Sequence, residues 1–152
     1  MVEIKSTSDK VSIEEIQSFE KKIGLIFPKD YKDFLVKYNG GAPSPASFDF
    51  YDKSDASTIR SFFSIEKDNH NTESINWTLK LYNGRLPKYF LPVASDLGDN
   101  LILLDCSLEN KGVFFWDHEE EADEDEEPTM DNMHYLSENF ENFLFSLRDS
   151  LE

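Results

Sequence analysis

Nine of the eleven residues from Asp117 to Glu127 are acidic, and this run is the densest set of chemically active side chains in the chain. A calcium loop would need Gly at its sixth position and Glu at its twelfth, but counting from Asp117 places Ala122 and Pro128 there. No specific metal site or cofactor is expected. The run reads either as a solvated loop over 117–128 or as a surface that docks a partner. His70, His118 and His134 are scattered, with no HExxH pair, cysteine cluster or Gly-x-Ser-x-Gly elbow beside them, and are read as surface residues. Cys106 follows the apolar run "LILLD" and is read as a buried thiol. Asp96 and Asp99 flank Gly98, where aspartate serves local backbone hydrogen bonding better than paired acid–base catalysis.

The glycines of "KYNGGAPSP" raise the possibility of a phosphate loop, but they follow an amphipathic stretch, whereas phosphate loops need them before a helix. No Lys-Ser/Thr pair closes the motif. Asn39, Gly40 and Gly41 are therefore read as a helix stop, with positive φ at Gly40 or Gly41.

Those groups must be positioned by a small set of elements. Ser12 and Glu15 form a capping-box pattern, and Ile13, Ile16, Phe19 and Ile23 recur at helical spacing until Gly24. A second helix is predicted from Pro28, at its first position, with Tyr31, Phe34, Leu35 and Tyr38 on one stripe. "SFDFYD" and "IRSFFSI" read as strands. Ile75, Leu79 and Tyr82 predict a helix over 72–83, with Trp77 on another face. "FLPVASDLGDNLILLDCS" reads as strand, turn and strand, with Gly98 free to take positive φ, and "KGVFFWDH" as a further strand. The tail predicts a helix capped by Ser137, with Phe140, Phe143, Leu144, Leu147 and Leu151 on one face. The order indicates an α+β fold: a single domain over 1–152 with a mostly antiparallel sheet of five or six strands. Two N-terminal helices, an inserted helix and a C-terminal helix cover that sheet, and residues 1–10 are expected to be a flexible lead.

The 152 residues carry 15 basic and 31 acidic side chains, a net charge of −16. Without the nine acids of 117–127, 22 acids face 15 bases and leave only −7. Such a charge opposes nucleic acid and anionic membranes and points to a basic protein partner. The opening stretch "MVEIKSTSDKVSIEE" lacks the apolar core of a signal peptide, and no apolar run reaches membrane-spanning length, which predicts a cytoplasmic protein.

Four stretches in order resemble the SUKH superfamily of bacterial immunity proteins and a fungal cell-wall assembly regulator. "SIEEIQSFEKKIGLIFPKDYKDFLVKYNGG" is similar to the family's opening helices, with Phe27 where leucine is usual. "LPVASDLGDNLILLD" resembles its strand entry and Gly-x-Asn turn, with Asp99 between Gly98 and Asn100 as a departure. "GVFFWDHE" and "LSENFENFLFSL" resemble its Trp-Asp-His strand end and its closing helix. The resemblance implies a non-enzymatic binding scaffold without a cofactor. It further implies a bacterial immunity protein that neutralises a cognate toxin, frequently a nuclease; the alternative is a regulatory scaffold that binds a cellular protein. The oligomeric state expected is a monomer or weak dimer. Candidate toxin contacts are Asp117, Glu119, Glu120, Glu121, Asp123, Glu124 and Asp125. Trp116, Phe48 and Phe50 are candidate anchors if a sheet face stays open, and core residues otherwise.

Overall fold

The computed structural model describes residues 2–67 and 71–150, so His70 and Leu151 lie outside the described residues. Strand β1 (Glu3–Lys5) is followed by helices α1 (Ile13–Ile23) and α2 (Lys29–Tyr38), then by β2 (Ala42–Ser44), β3 (Ser47–Asp49) and β4 (Ala56–Phe62). Helix α3 (Ile75–Leu81) is inserted before β5 (Phe90–Asp96), β6 (Leu101–Asp105) and β7 (Val113–Trp116). Strand β8 (Met133–Ser137) and helix α4 (Phe140–Phe145) complete the order. Strands β3 to β8 form one antiparallel sheet in sequence order, and β1 pairs with β2 in a second, two-stranded sheet. The fold is α+β, as expected. Residues 3–5, inside the expected flexible lead, are the ones that form β1.

Local chemistry accounts for the first helices. Ser12 Oγ accepts from Glu15 N and Glu15 Oε1 accepts from Ser12 N, both at 3.1 Å, completing the capping box. Gly24 ends α1 in the left-handed conformation at φ 76°. Buried Glu20 accepts from Phe27 N at 2.6 Å and so ties α1 to the approach to α2. Pro28 is the N-cap of α2 and not its first helical residue. At the other end Asn39, Gly40 and Gly41 all have positive φ. Gly41 exchanges backbone hydrogen bonds with Phe62, at 3.0 and 2.8 Å. A Cβ on Gly40 would sit 2.8 Å from the Phe62 carbonyl oxygen, so these glycines both stop the helix and let the chain cross β4 closely.

Strands β5 and β6 are buried along nearly their whole length, the pattern of central strands covered on both faces. Pro92 is tolerated within β5 because the register to β6 shifts between Pro92 and Ala94. On one face, Tyr31 and Phe34 of α2 meet Phe140 of α4, each with ring centroids 4.9 Å apart, and Phe34 reaches Phe62 of β4 at 5.1 Å. Phe48, Phe115 and Phe143 continue this layer. On the opposite face Tyr82, just past α3, packs edge-on against Trp116 at 5.6 Å. Tyr31, Phe34 and Leu35 of α2 and Phe140 and Phe143 of α4 are buried as predicted, and Leu147 is buried too, although it lies past the end of the helix at Phe145 on which it was expected.

Three local expectations are corrected. Positive φ in the β5–β6 turn falls on Asp99 (φ 64°) and not on Gly98. The tail helix begins later than Ser137, because Met133–Ser137 pairs with β7 as a strand and the Asn139 side chain caps α4 by accepting from Asn142 N. Helix α3 is shorter than 72–83, since Ser74 Oγ accepts from Trp77 N and starts it.

Candidate protein-docking surface

The acidic run is anchored at its base by backbone and amide groups. Asp117 N donates to Asn132 O at 3.0 Å, and buried Asn132 returns its side-chain amide to Asp117 O at 2.8 Å. Asp117 Oδ1 accepts from Glu119 N at 2.9 Å, which caps a single 3-10 turn, His118–Glu120. His118 N donates to Asn100 Oδ1 at 3.1 Å, and His118 Nε2 lies 3.0 Å from Gly98 O. The β7–β8 loop is thereby fastened to the β5–β6 turn.

Further out, Arg85 Nη2 and Nε reach Glu121 Oε1 and Oε2 at 2.6 and 3.2 Å, a two-pronged pair. The same guanidinium lies 4.4 Å over the Tyr82 ring, and its hydrogen bond to Glu121 raises its pKa further above the usual arginine value. A groove of about 510 Å³ is lined by Gly84, Arg85, Glu121, Asp123, Glu124 and Glu126. Of the nine acids, Glu121 alone has a cation partner among the described residues. Glu119, Glu120 and Asp123 to Glu127 are exposed, and the surface they make is an uncompensated anionic ridge.

The ten candidate residues separate into two groups. Asp117, Glu119, Glu120, Glu121, Asp123, Glu124 and Asp125 share this loop. Trp116, Phe48 and Phe50 are 1%, 0% and 6% exposed, so they are core residues with no free face for a partner. Exposed apolar groups lie elsewhere: Ile26, Tyr89, Leu108 and Met130 border a groove of about 680 Å³ whose rim carries Lys88, Glu109 and Lys111. Leu108, an apolar residue inside the polar turn "SLENKG", is the sequence signal for that groove.

The other candidate chemistry is structural. Cys106 is buried, and desolvation pushes its thiol up to about 12, so it is protonated and unreactive at neutral pH. Asp96 is buried with its carboxylate committed to Ser57, Gly98 and Asn100, while exposed Asp99 pairs with Arg60 at 2.9 Å. His134, expected at the surface, is half-buried and stacks on Phe50 with ring centroids 5.0 Å apart. No helix among the described residues is long and apolar enough to cross a membrane.

Comparison with known proteins finds a family and two relatives. The model of the SMI1 / KNR4 family (SUKH-1) matches residues 10–146. The SPbeta prophage-derived uncharacterized protein YokK of Bacillus subtilis (strain 168) is 30% identical over 154 residues, an alignment covering 90% of this chain and 74% of that protein. The uncharacterized protein YnaB of the same organism is 50% identical over 32 residues, covering 21% of this chain and 22% of the relative.

Proposed function

From the premise that this chain belongs to the SMI1 / KNR4 family (SUKH-1), we propose that it is an immunity protein that binds and blocks a basic toxin domain. The observation carrying this reading is the anionic ridge between β7 and β8, fixed at its base and largely unpaired above it. A nuclease-type toxin fits best, because an enzyme that holds polyanionic substrate presents Lys and Arg to which this ridge is complementary. The prophage origin of one relative suits an immunity gene carried on mobile DNA. Inhibition by occupation of a basic cleft uses no cofactor and no catalytic group of this chain, and the protein acts in the cytoplasm beside its target.

The ridge acts through its field. Clustered charges steer encounter over about a Debye length, roughly 8 Å at physiological salt, and so govern association more than residence. Apolar contact must then hold the complex. The exposed set Ile26, Tyr89, Leu108 and Met130 supplies it, with Met130 lying just past the acidic run.

The test looks for a basic toxin domain in the reading frame beside this one, pairs it with the purified chain and measures association at low and high salt. Glu119, Glu120 and Glu121 are changed to Gln and Asp123 and Glu124 to their amides as one set. Association should slow by roughly tenfold or more, with a flatter salt dependence. Equal rates and salt slopes in wild type and variant would remove the ridge from the interface, and absence of binding by the wild type would overturn the immunity reading itself.

A further inference from the structure

Three side chains, two from the β7–β8 loop and one from β8, converge at the β7–β8 edge. Asp117 continues the line of β7 past Trp116, so it shares a sheet face with Phe115. Phe115 is paired with His134 of β8, which makes Asp117 the diagonal neighbour of His134. Asp117 also caps the 3-10 turn His118–Glu120, and in that geometry residues three apart eclipse, which sets Glu120 over Asp117. One oxygen of Asp117, one of Glu120 and one ring nitrogen of His134 all lie within 4.8 Å of one another.

We propose that Asp117, Glu120 and His134 bind a divalent transition-metal cation, Zn²⁺ being the best match, with water completing its shell. The donor set selects the class of ion. Imidazole suits zinc and its neighbours, whereas magnesium and calcium take oxygen ligands almost alone. Two carboxylates neutralise the dication. Zinc–nitrogen and zinc–oxygen bonds of about 2.0–2.2 Å place donors about 3–4 Å apart across the ion, within reach of small rotations from the observed spacing.

Two of the ligands are held in place by the fold. His134 packs against two touching rings, stacked on Phe50 at 23° and tilted against Phe115 at 6.1 Å. Asp117 spends Oδ1 on the Glu119 N–H and keeps Oδ2 available. Among the described residues no hydrogen bond or ion pair joins the imidazole to either carboxylate, so the three groups face one another without satisfying one another. The nearby Asp52 is engaged differently, since its Oδ1 accepts from Ser54 N and Oγ at 3.0 and 2.7 Å. The calcium-loop pattern is absent from this stretch because the third ligand comes from the neighbouring strand, and sequence spacing within the loop does not contain it.

The experiment titrates Zn²⁺ into the purified chain by calorimetry, with Mg²⁺ and Ca²⁺ as comparisons, and follows the imidazole nitrogens by NMR. One Zn²⁺ per chain should bind, with the shift change centred on His134 and not on His118 or His70. His134→Gln, which keeps a planar group over Phe50, and Asp117→Asn should each weaken binding by roughly tenfold or more. Amide substitution of Asp123, Glu124, Asp125, Glu126 and Glu127 together should leave the affinity nearly unchanged. Absence of Zn²⁺ binding, equal affinity in His134→Gln, a shift at another histidine, or loss of binding in the five-acid variant would each overturn the proposal. If His134→Gln is destabilised, the wild-type imidazole shifts decide the matter alone.

Discussion

Replacing Asp96 by alanine asks whether the turn aspartates serve structure. Asp96 ends β5 at 1% exposure, and its carboxylate accepts from Gly98 N at 3.0 Å, Asn100 N at 2.7 Å, Ser57 Oγ at 2.7 Å and Asn100 Nδ2 at 3.2 Å. A hydrogen bond to a charged group contributes about 1.5–3 kcal/mol, but four bonds on one carboxylate are coupled and do not add. Gly98 is exposed, so water replaces its bond after truncation, whereas Asn100 and Ser57 are half-buried and recover less. The net cost is about 2–4 kcal/mol. Asp96→Asn retains an oxygen for the two N–H groups and lets Ser57 accept, but it sets two amide donors against each other at Asn100, and its cost is about 1 kcal/mol. With a urea slope of about 2 kcal/mol/M, the alanine midpoint should fall by about 1–2 M and the asparagine midpoint by less. An alanine variant with the wild-type midpoint would refute the structural role and reopen an acid–base one.

Gly40→Val should destabilise by about 3–5 kcal/mol, because a β-branched residue at φ 85° is strained and its Cβ meets the Phe62 and Phe63 backbone at 2.8 Å; an unchanged Tm would refute the close crossing. Tyr31→Phe should raise stability by about 1 kcal/mol, since the buried hydroxyl has no hydrogen-bond partner among the described residues; a lower denaturation midpoint would reveal a partner. Burial raises the Cys106 thiol to about 12, while an unfolded cysteine ionises near about 8.5. The stability this shift contributes is therefore complete below the unfolded value and declines as pH rises from there toward the folded one. Cys106→Ala should flatten that alkaline limb in pH-dependent melting, and identical limbs would refute the assignment.

The parts of the fold legible in the sequence are those settled within a few residues. The capping box at Ser12 and Glu15, the Asn39 to Gly41 stop and the apolar stripes of α1 and α2 are local, and each is found where the residues place it, save that Ile13 at the head of the α1 stripe is exposed. What was hidden depends on partners far along the chain. "MHYLS" alternates weakly and precedes a strong helical stripe, so it reads as a helix lead; pairing with β7 makes it β8. Likewise "APS" is a strand only because "EIK" lies beside it. At the site, the charge of 117–127 was plain in the sequence, but the hold of Asn132 on Asp117, the Arg85–Glu121 pair and the approach of His134 all cross between elements. Phe48, Phe50 and Trp116 admitted two readings because period-2 aromatics look alike on covered and open sheet faces; here all three lie under cover.

The placement of the acids explains how so anionic a chain keeps a dense aromatic core. Mutual repulsion among nine charges opposes compaction, but they lie in a hairpin connection whose two ends are clamped by the paired hydrogen bonds between Asp117 and Asn132. The loop expands into solvent without prying β7 from β8, because Phe115 and Trp116 are buried directly below the clamp and Leu136 is buried further along β8. Repulsion is thus confined to the loop, and packing is confined to the sheet and helices. Removing charge from Glu119, Glu120, Asp123 and Glu124, which keeps the Arg85–Glu121 pair, relieves the first and leaves the second untouched, so that variant should fold at least as stably as wild type. Cutting the clamp with Asn132→Ala should instead transmit the repulsion to the β7–β8 pair, with a stability loss that shrinks as salt screens the loop.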